Sequence, residues 1–301
     1  MTSDVTLRQL RYFAAAAESG QFSLAAASMF VSQSAITNAI LLLEERLAAR
    51  LFDRKPHGVS LTAEGQRFYQ HARHILDSLQ DALREPRLRG KALSGAIRIA
   101  ATYSVLGYFL PPLFARFRAH YPDIDFDLHD MGRREVEAAV LAGELELGVL
   151  ILSNVEKRER FGHHVLMRSR RQLWAGAGHP LLAQPYPSLA DIAQQPYILL
   201  TVDEGEESNR RYWVDSGLTP NIAFRTSVME ALRGLVAHRF GVTILSDMVY
   251  RPWSLEGKRI EARPILDAIP HLEVGLIWAS DATLSDPAEA LRQFLIQACG
   301  S

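Results

Sequence analysis

Apolar and polar positions alternate with two different periods along this chain. In residues 7 to 19, "LRQLRYFAAAAES", Leu7, Leu10, Ala14 and Ala17 recur at helical spacing with Phe13 at the edge of the stripe, and Gly20 closes the segment. Ser23 is placed to cap a short second helix, "LAAASMF", whose alanines at 25, 26 and 27 permit close packing. After a brief break at Val31 and Ser32, the residues Ile36, Ile40, Leu43 and Leu47 form another buried stripe, with Ser32 as its cap. Three helices with a tight connection between the second and third predict a helix-turn-helix unit. "LFDRKPHGVSLT" then sets Pro56 and Gly58 between short apolar segments, as a small β-wing would.

From Thr62 the helical period resumes in "AEGQRFYQHARHILDSLQDALRE". Phe68, Ala72, Ile75, Leu79 and Ala82 follow a 4, 3, 4, 3 spacing, which predicts a coiled-coil seam. Pro86 stops the helix, and "RLRGKALSG" is a polar, glycine-containing linker. Beyond residue 94 strand and helix patterns alternate: "AIRIAAT", "LPPLFARFRAHY", "DFDLHDM", "REVEAAVLAGE", "LELGVLI", and so on to the closing helix "PAEALRQFLIQAC". This order predicts βαβ units around a mostly parallel sheet.

Charge changes the picture more than composition does. The 301 residues suffice for two or three domains, and the net charge of -1 hides an asymmetry. Residues 1 to 92 hold 12 Lys and Arg against 9 Asp and Glu, a net of +3, while the remainder holds 21 against 25, a net of -4. A basic N-terminal piece on an acidic body points toward nucleic acid. The single cysteine, Cys299, allows no disulfide within the chain and predicts a reducing compartment. No apolar run approaches ~18 residues, and residues 1 to 12 contain Asp4 and no apolar core, so neither a membrane span nor a signal peptide is expected and the location is read as cytoplasmic.

The polar positions carry the candidate chemistry. Gln33 and Asn38 each bear an amide able to pair bidentately with adenine, and Thr37 can reach a base edge or a thymine methyl. Ser32 and Ser34 sit at the same helix start, where backbone N–H groups also suit a phosphate. Arg54 and Lys55 in the wing are phosphate contacts by type, and His57 stands beside them. The competing reading is that these side chains are merely solvated, and that Arg54 is a structural ion-pair partner. Enzyme chemistry finds no support: there is no P-loop, no G-x-G-x-x-G and no G-x-S-x-G. His71, His74 and Asp77 could share a metal, but they read better as the surface of a coiled coil. No catalytic residue, metal or cofactor is expected. The alternative is a solute-binding protein or an enzyme with an appended helical domain, and the N-terminal 65 residues weigh against it.

Taken in order, these pieces resemble a LysR-type transcriptional regulator over the whole chain. The likeness is densest in residues 7 to 65, through the "AAAS" helix, "SQSAITNAILLLEERL", "RLFDR" and "VSLTAEG". It continues in "LPPLFARFRAHYPDIDFDL", "LAGELELGVL", "GHPLL" and "LVAHRFGVTILS". Where the family often has Pro and Ser, this chain has Ser34 and Thr37; where the wing is often basic it has His57. Glu146 replaces a frequent Asp and Arg239 a frequent Gly.

The resemblance implies an α+β multidomain protein. A winged helix-turn-helix (1–62) is followed by a long linker and dimerisation helix (63–92) and an α/β effector module similar to periplasmic binding proteins (93–301). Its first subdomain would take 93–164 and 266–301, its second 165–265. It also implies partners: double-stranded promoter DNA with dyad symmetry, a small-molecule effector in the cleft between subdomains, and a second copy of the chain as dimer or tetramer. By the family's pattern Thr102 and Ser104, after the first strand and ahead of a helix near Leu110, contact the effector. Ligands in such sheets sit at the carboxyl ends of strands. Arg133, after the second strand, could clamp a carboxylate. Thr201, after "YILL", would face the same cleft, and Ser227 would cap a helix from Val228. Each could instead be a satisfied loop or cap residue. "DEGEES", 203 to 208, is read as a solvated acidic loop or as an attractor for an amine. The effector expected is a carboxylate or an amino-acid-like metabolite.

Overall fold

A computed structural model describes residues 5–299, apart from 56, 57, 63, 70, 74, 77, 78 and 80–92. The chain divides into two compact units, Met1–Lys91 and Ala92–Ser301.

In the first unit, α1 (Leu7–Ser19) starts from a capping box between Thr6 and Gln9 and ends on Gly20 at φ 67°. Helix α2 (Phe22–Ser28) begins at Phe22 rather than after Ser23, because the Phe22 ring is needed in the core, edge-on to Phe52 at 5.5 Å. Phe30 at φ 54° turns the chain, and α3 (Gln33–Leu47) leaves at 112° to α2, within the range of helix-turn-helix pairs. The wing is an antiparallel pair, β1 (Phe52–Lys55) and β2 (Gly58–Leu61). It is anchored by Glu44, whose Oε1 accepts the N–H groups of Leu51 and Phe52 at 2.7 and 3.1 Å.

Helix α4 follows from Glu64, with every described residue from 64 to 79 helical. Thr62 caps it, its Oγ1 accepting from the Gly65 N–H at 2.9 Å. Gly65 is needed because any Cβ there would lie 2.0 Å from the Leu51 carbonyl oxygen. The expected coiled-coil seam is divided. Phe68 stacks edge-on against Phe13 at 5.0 Å and Ala72 is fully buried in the same core, so both serve their own domain. Ile75 is 45% exposed, Leu79 is partly buried, and Ala82 lies outside the described residues.

The second unit is built on two sheets. The first has strand order β4-β3-β5-β12-β6, formed by β3 (Gly95–Ala101), β4 (Ile124–Asp130), β5 (Leu147–Ile151), β6 (Phe161–Ser169) and β12 (Leu272–Ala279). Both of its faces are covered. Ile97, Ile99 and Val149 pack toward α6 (Leu110–His120) and α11 (Asp286–Cys299), while Ala100 and Leu150 pack toward α7 (Arg133–Leu141). Double burial is why these strands read as continuous apolar runs.

The second sheet has order β10-β7-β11, from β7 (Arg171–Gly176), β10 (Thr243–Ser246) and β11 (Ile260–Pro264). The parallel pair β8 (Pro196–Leu200) and β9 (Asn221–Thr226) joins it through a bridge between Tyr197 and Val242. Helices α8 (Leu189–Ala193), α9 (Gly205–Asp215) and α10 (Met229–Ala237) pack on it.

The sheets are mixed rather than mostly parallel. β12 runs antiparallel to β5 and β6, and β7 antiparallel to β10 and β11. The chain crosses between sheets through β6–β7 and returns through β11–β12, and such direct crossings replace helical crossovers. β6 stays in the first sheet to Ser169, so the first crossing falls later than the expected boundary at 164/165. Arg239, where the resemblance implies a frequent Gly, sits at φ 61°, a conformation that glycine adopts without steric cost.

Candidate nucleic-acid interface and effector cleft

The first turns of α3 face outward. Ser32, Gln33, Ser34 and Asn38 are exposed and Thr37 is partly so, whereas Ile36, Ala39, Ile40 and Leu43 are buried. The stripe that folds the domain and the face that can read a groove therefore lie on opposite sides of one helix. Ser32 is the N-cap: its Oγ accepts from the Ala35 N–H at 3.2 Å and lies 2.9 Å from Ser34 Oγ. Thr37 Oγ1 donates to the Gln33 carbonyl at 3.0 Å, which spends its proton and leaves its methyl and its oxygen lone pairs to offer. The amides of Gln33 and Asn38 have no hydrogen-bond partner among the described residues, so both keep their full pairing capacity. Arg54 and Lys55 are backbone-paired with Val59 and Gly58 in the wing, and His57 lies outside the described residues.

The expected effector residues gather only in part. α5 (Tyr103–Tyr108) begins directly after β3 with Thr102 as N-cap residue, so the helix starts well before Leu110 and Ser104 lies in its first turn. Thr102 is 1% exposed, and its Oγ1 has no hydrogen-bond partner of good geometry. The Ser104 N–H donates to Asp203 Oδ2 at 2.8 Å, and Asn154 Nδ2 donates to the Asp203 carbonyl at 2.9 Å. A carboxylate of the chain itself therefore occupies the N–H group of Ser104, one of the two expected effector contacts.

The acidic loop is not a uniformly solvated run. Asp203 and Glu204 both adopt left-handed conformations, at φ 51° and 54°, and are withdrawn from solvent, while Glu206 and Glu207 are exposed. Consecutive non-glycine residues in this region are strained. Burial pushes the Asp203 carboxyl up, partly offset by hydrogen bonds from Ser104. Burial also raises Glu204, against the pull of Arg133.

Arg133 is not a free clamp. Its side chain is 6% exposed, Nη1 donates to Glu137 Oε1 at 2.6 Å, and Nε lies 3.4 Å from Glu204 Oε1. Two carboxylates of the chain already neutralise it. Thr201 is partly buried, and its N–H continues the sheet by donating to the Thr226 carbonyl at 2.9 Å. Ser227 is exposed and caps nothing. α10 starts at Met229, one residue later than expected, and Thr226 Oγ1 instead accepts the Val228 N–H at 3.0 Å.

Between the sheets lies a cavity of about 50 Å³, lined by Ser104, Asn154, Asp203, Arg171, Ser208 and Ser246 among polar groups. It admits a few water molecules and no metabolite until the cleft widens. Arg171 was not anticipated from sequence. It sits inside "RSRRQ", where its neighbours Arg168 and Arg170 are exposed, and nothing in that pattern separates it from them.

Comparison with known proteins agrees with this architecture. The LysR substrate binding domain matches residues 90–300, and the bacterial regulatory helix-turn-helix protein, lysR family, matches residues 7–66. The uncharacterized HTH-type transcriptional regulator YnfL of Escherichia coli K12 is 30% identical, across 98% of this chain and 99% of its own length. The DNA-binding transcriptional dual regulator OxyR of the same organism is 26% identical over 96% and 94%. The crystal structure of HinK, a LysR family transcriptional regulator from Pseudomonas aeruginosa, superposes with a TM-score of 0.64 at 27% identity, covering 97% of each chain. This chain belongs to the LysR family of transcriptional regulators, joining a DNA-binding helix-turn-helix domain to an effector-binding domain.

Proposed function

We propose that the chain works in the cytoplasm, without catalysis, as a homo-oligomer on promoter DNA with dyad symmetry. In this reading Gln33, Thr37 and Asn38 read base edges, Ser32 and Ser34 hold the helix start against the backbone, and Arg54, Lys55 and His57 of the wing bind phosphates. The observation that carries it is the pair of exposed amides on α3, neither of which has a partner among the described residues. Occupied by a carboxylate or amino-acid-like metabolite, the effector cleft shifts the protein between conformations, because such a ligand favours the one it binds better. Ser104 supplies part of its polar floor, and Thr102 is the buried N-cap residue of the same helix. Arg133, Thr201 and Ser227, the other expected contacts, are replaced in that role by groups that line the cavity.

Quantitative footprinting on cognate and scrambled promoter sites, across a salt series, tests the reading helix. Gln33→Ala and Asn38→Ala should each reduce discrimination by about 1–3 kcal/mol. Arg54→Ala should weaken both sites alike and lower the salt slope. Thr37→Val should preserve a thymine-methyl contact that Thr37→Ser loses, since the hydroxyl proton is spent on Gln33. Unchanged discrimination in both amide variants would remove α3 as the reader.

A further inference from the structure

We infer that Arg171 is the anchor for the effector, and that the effector is a monocarboxylate with an apolar body. This rests on the cleft being the effector site. Arg171 begins β7 at the crossing between the two sheets and lines the cavity. Its Nη2 donates to Ser208 Oγ at 2.6 Å, its Nη1 to the Ser208 carbonyl at 3.5 Å, and its guanidinium lies 5.4 Å from the centre of the Tyr212 ring. No carboxylate pairs with it among the described residues.

The contrast with its neighbours is informative. Arg133 holds Glu137 and Glu204. Arg211 holds Glu207, and Arg225 holds Glu206. Arg171 alone among these faces the cavity with only a serine and an aromatic face to offset its charge. Burial lowers its pKa, which marks the charged form as under-solvated. A guanidinium has five N–H donors, so a fork remains for a bidentate carboxylate. The rest of the lining includes the apolar side chains of Ile151, Leu200, Met229, Ile244 and Met248. An amine finds no comparable partner, since Asp203 is already engaged by Ser104 and Arg171 repels a second cation.

The test uses full-length protein and matched probes: 4-methylpentanoate and 3-phenylpropanoate, with their amides and the corresponding amines, titrated by calorimetry. The carboxylates should bind wild type about tenfold or more tightly than the amides. Arg171→Met should lose about that factor for the carboxylates and leave the amides unchanged. It should also melt no lower than wild type, because an uncompensated buried charge is being removed. Arg171→Lys keeps the charge and loses the fork; it serves if the methionine variant does not fold, and it should also weaken carboxylate binding.

Wild-type carboxylate affinity in Arg171→Met and Arg171→Lys overturns the assignment. So does tighter binding of the amines, or no saturable carboxylate binding at millimolar concentration. Val202→Trp, which fills the cavity, separates the two readings. Carboxylate binding that survives Val202→Trp moves the effector out of the cleft. Amine binding that Val202→Trp abolishes keeps the cleft and overturns the carboxylate.

Discussion

The Asp203 carboxylate accepts the Ser104 N–H at 2.8 Å, tying the first turn of α5 on one sheet to the loop after β8 on the other. The contact closes the cleft from within, using an anion supplied by the chain itself. An oxygen-bearing effector that sought Ser104 would first have to displace it.

Asp203 has a pH signature with a definite sign. Its folded pKa is raised by burial, so the folded state binds the proton more readily than the unfolded state. Its contribution to stability is complete below the ordinary carboxylate range and is lost as pH rises through the raised folded value. Asp203→Asn should therefore melt at or above wild type near neutral pH, with the two curves converging in acid. Thermal melts across that range check this. A variant less stable than wild type near neutral pH, with the difference vanishing in acid, would show that the charged hydrogen bond to Ser104 outweighs burial.

Arg133 should behave as a structural cation. Arg133→Met leaves Glu137 and Glu204 facing each other without a counterion, and should cost roughly 2–4 kcal/mol, moderated because both carboxylates keep some contact with water. Urea unfolding of the effector module measures it. A loss within about 0.5 kcal/mol would mean that the pair contributes little to stability and would return Arg133 to the ligand.

Gly65→Ala should destabilise the N-terminal domain, although a glycine-to-alanine change inside a helix ordinarily helps by about 0.5–1 kcal/mol. The new Cβ would meet the Leu51 carbonyl at 2.0 Å, and that backbone is held by the wing. A cost of about 1–3 kcal/mol is expected, with weakened DNA binding. Normal melting and normal promoter affinity would rule out this close approach.

Ile75 and Ala72 should separate assembly from folding. Ile75 is 45% exposed and Ala72 is fully buried, three residues apart on α4. Ile75→Glu should leave the domain's melting within about 0.5 kcal/mol and shift sedimentation toward smaller species. Ala72→Glu should unfold the domain. If Ile75→Glu sediments as wild type does, α4 is not where two copies meet.

The reading helix was legible in the sequence because one local period carries both of its jobs. Ile36, Ile40 and Leu43 fix which side of α3 is buried, and that places Gln33 and Asn38 outside without reference to any distant residue. The wing and the helix start near Thr62 were legible for the same reason, being set by patterns a few residues long. Doubly buried strands such as Leu147–Ile151 were also readable as apolar runs, though not their direction of pairing.

The cleft could not be read this way. Arg133 has one carboxylate four residues on along its own helix, Glu137, which helical spacing records; its second, Glu204, arrives from a segment 71 positions away, and no local pattern marks Arg171 as the arginine left without one. The same holds for Asp203, whose solvated appearance in "DEGEES" is reversed by two left-handed residues that turn it toward Ser104. Local patterns specify which face of an element is buried. The pairing of charges across two sheets is decided only when the chain crosses between them, because Coulomb energy and desolvation depend on final distances and burial, not on order in the sequence.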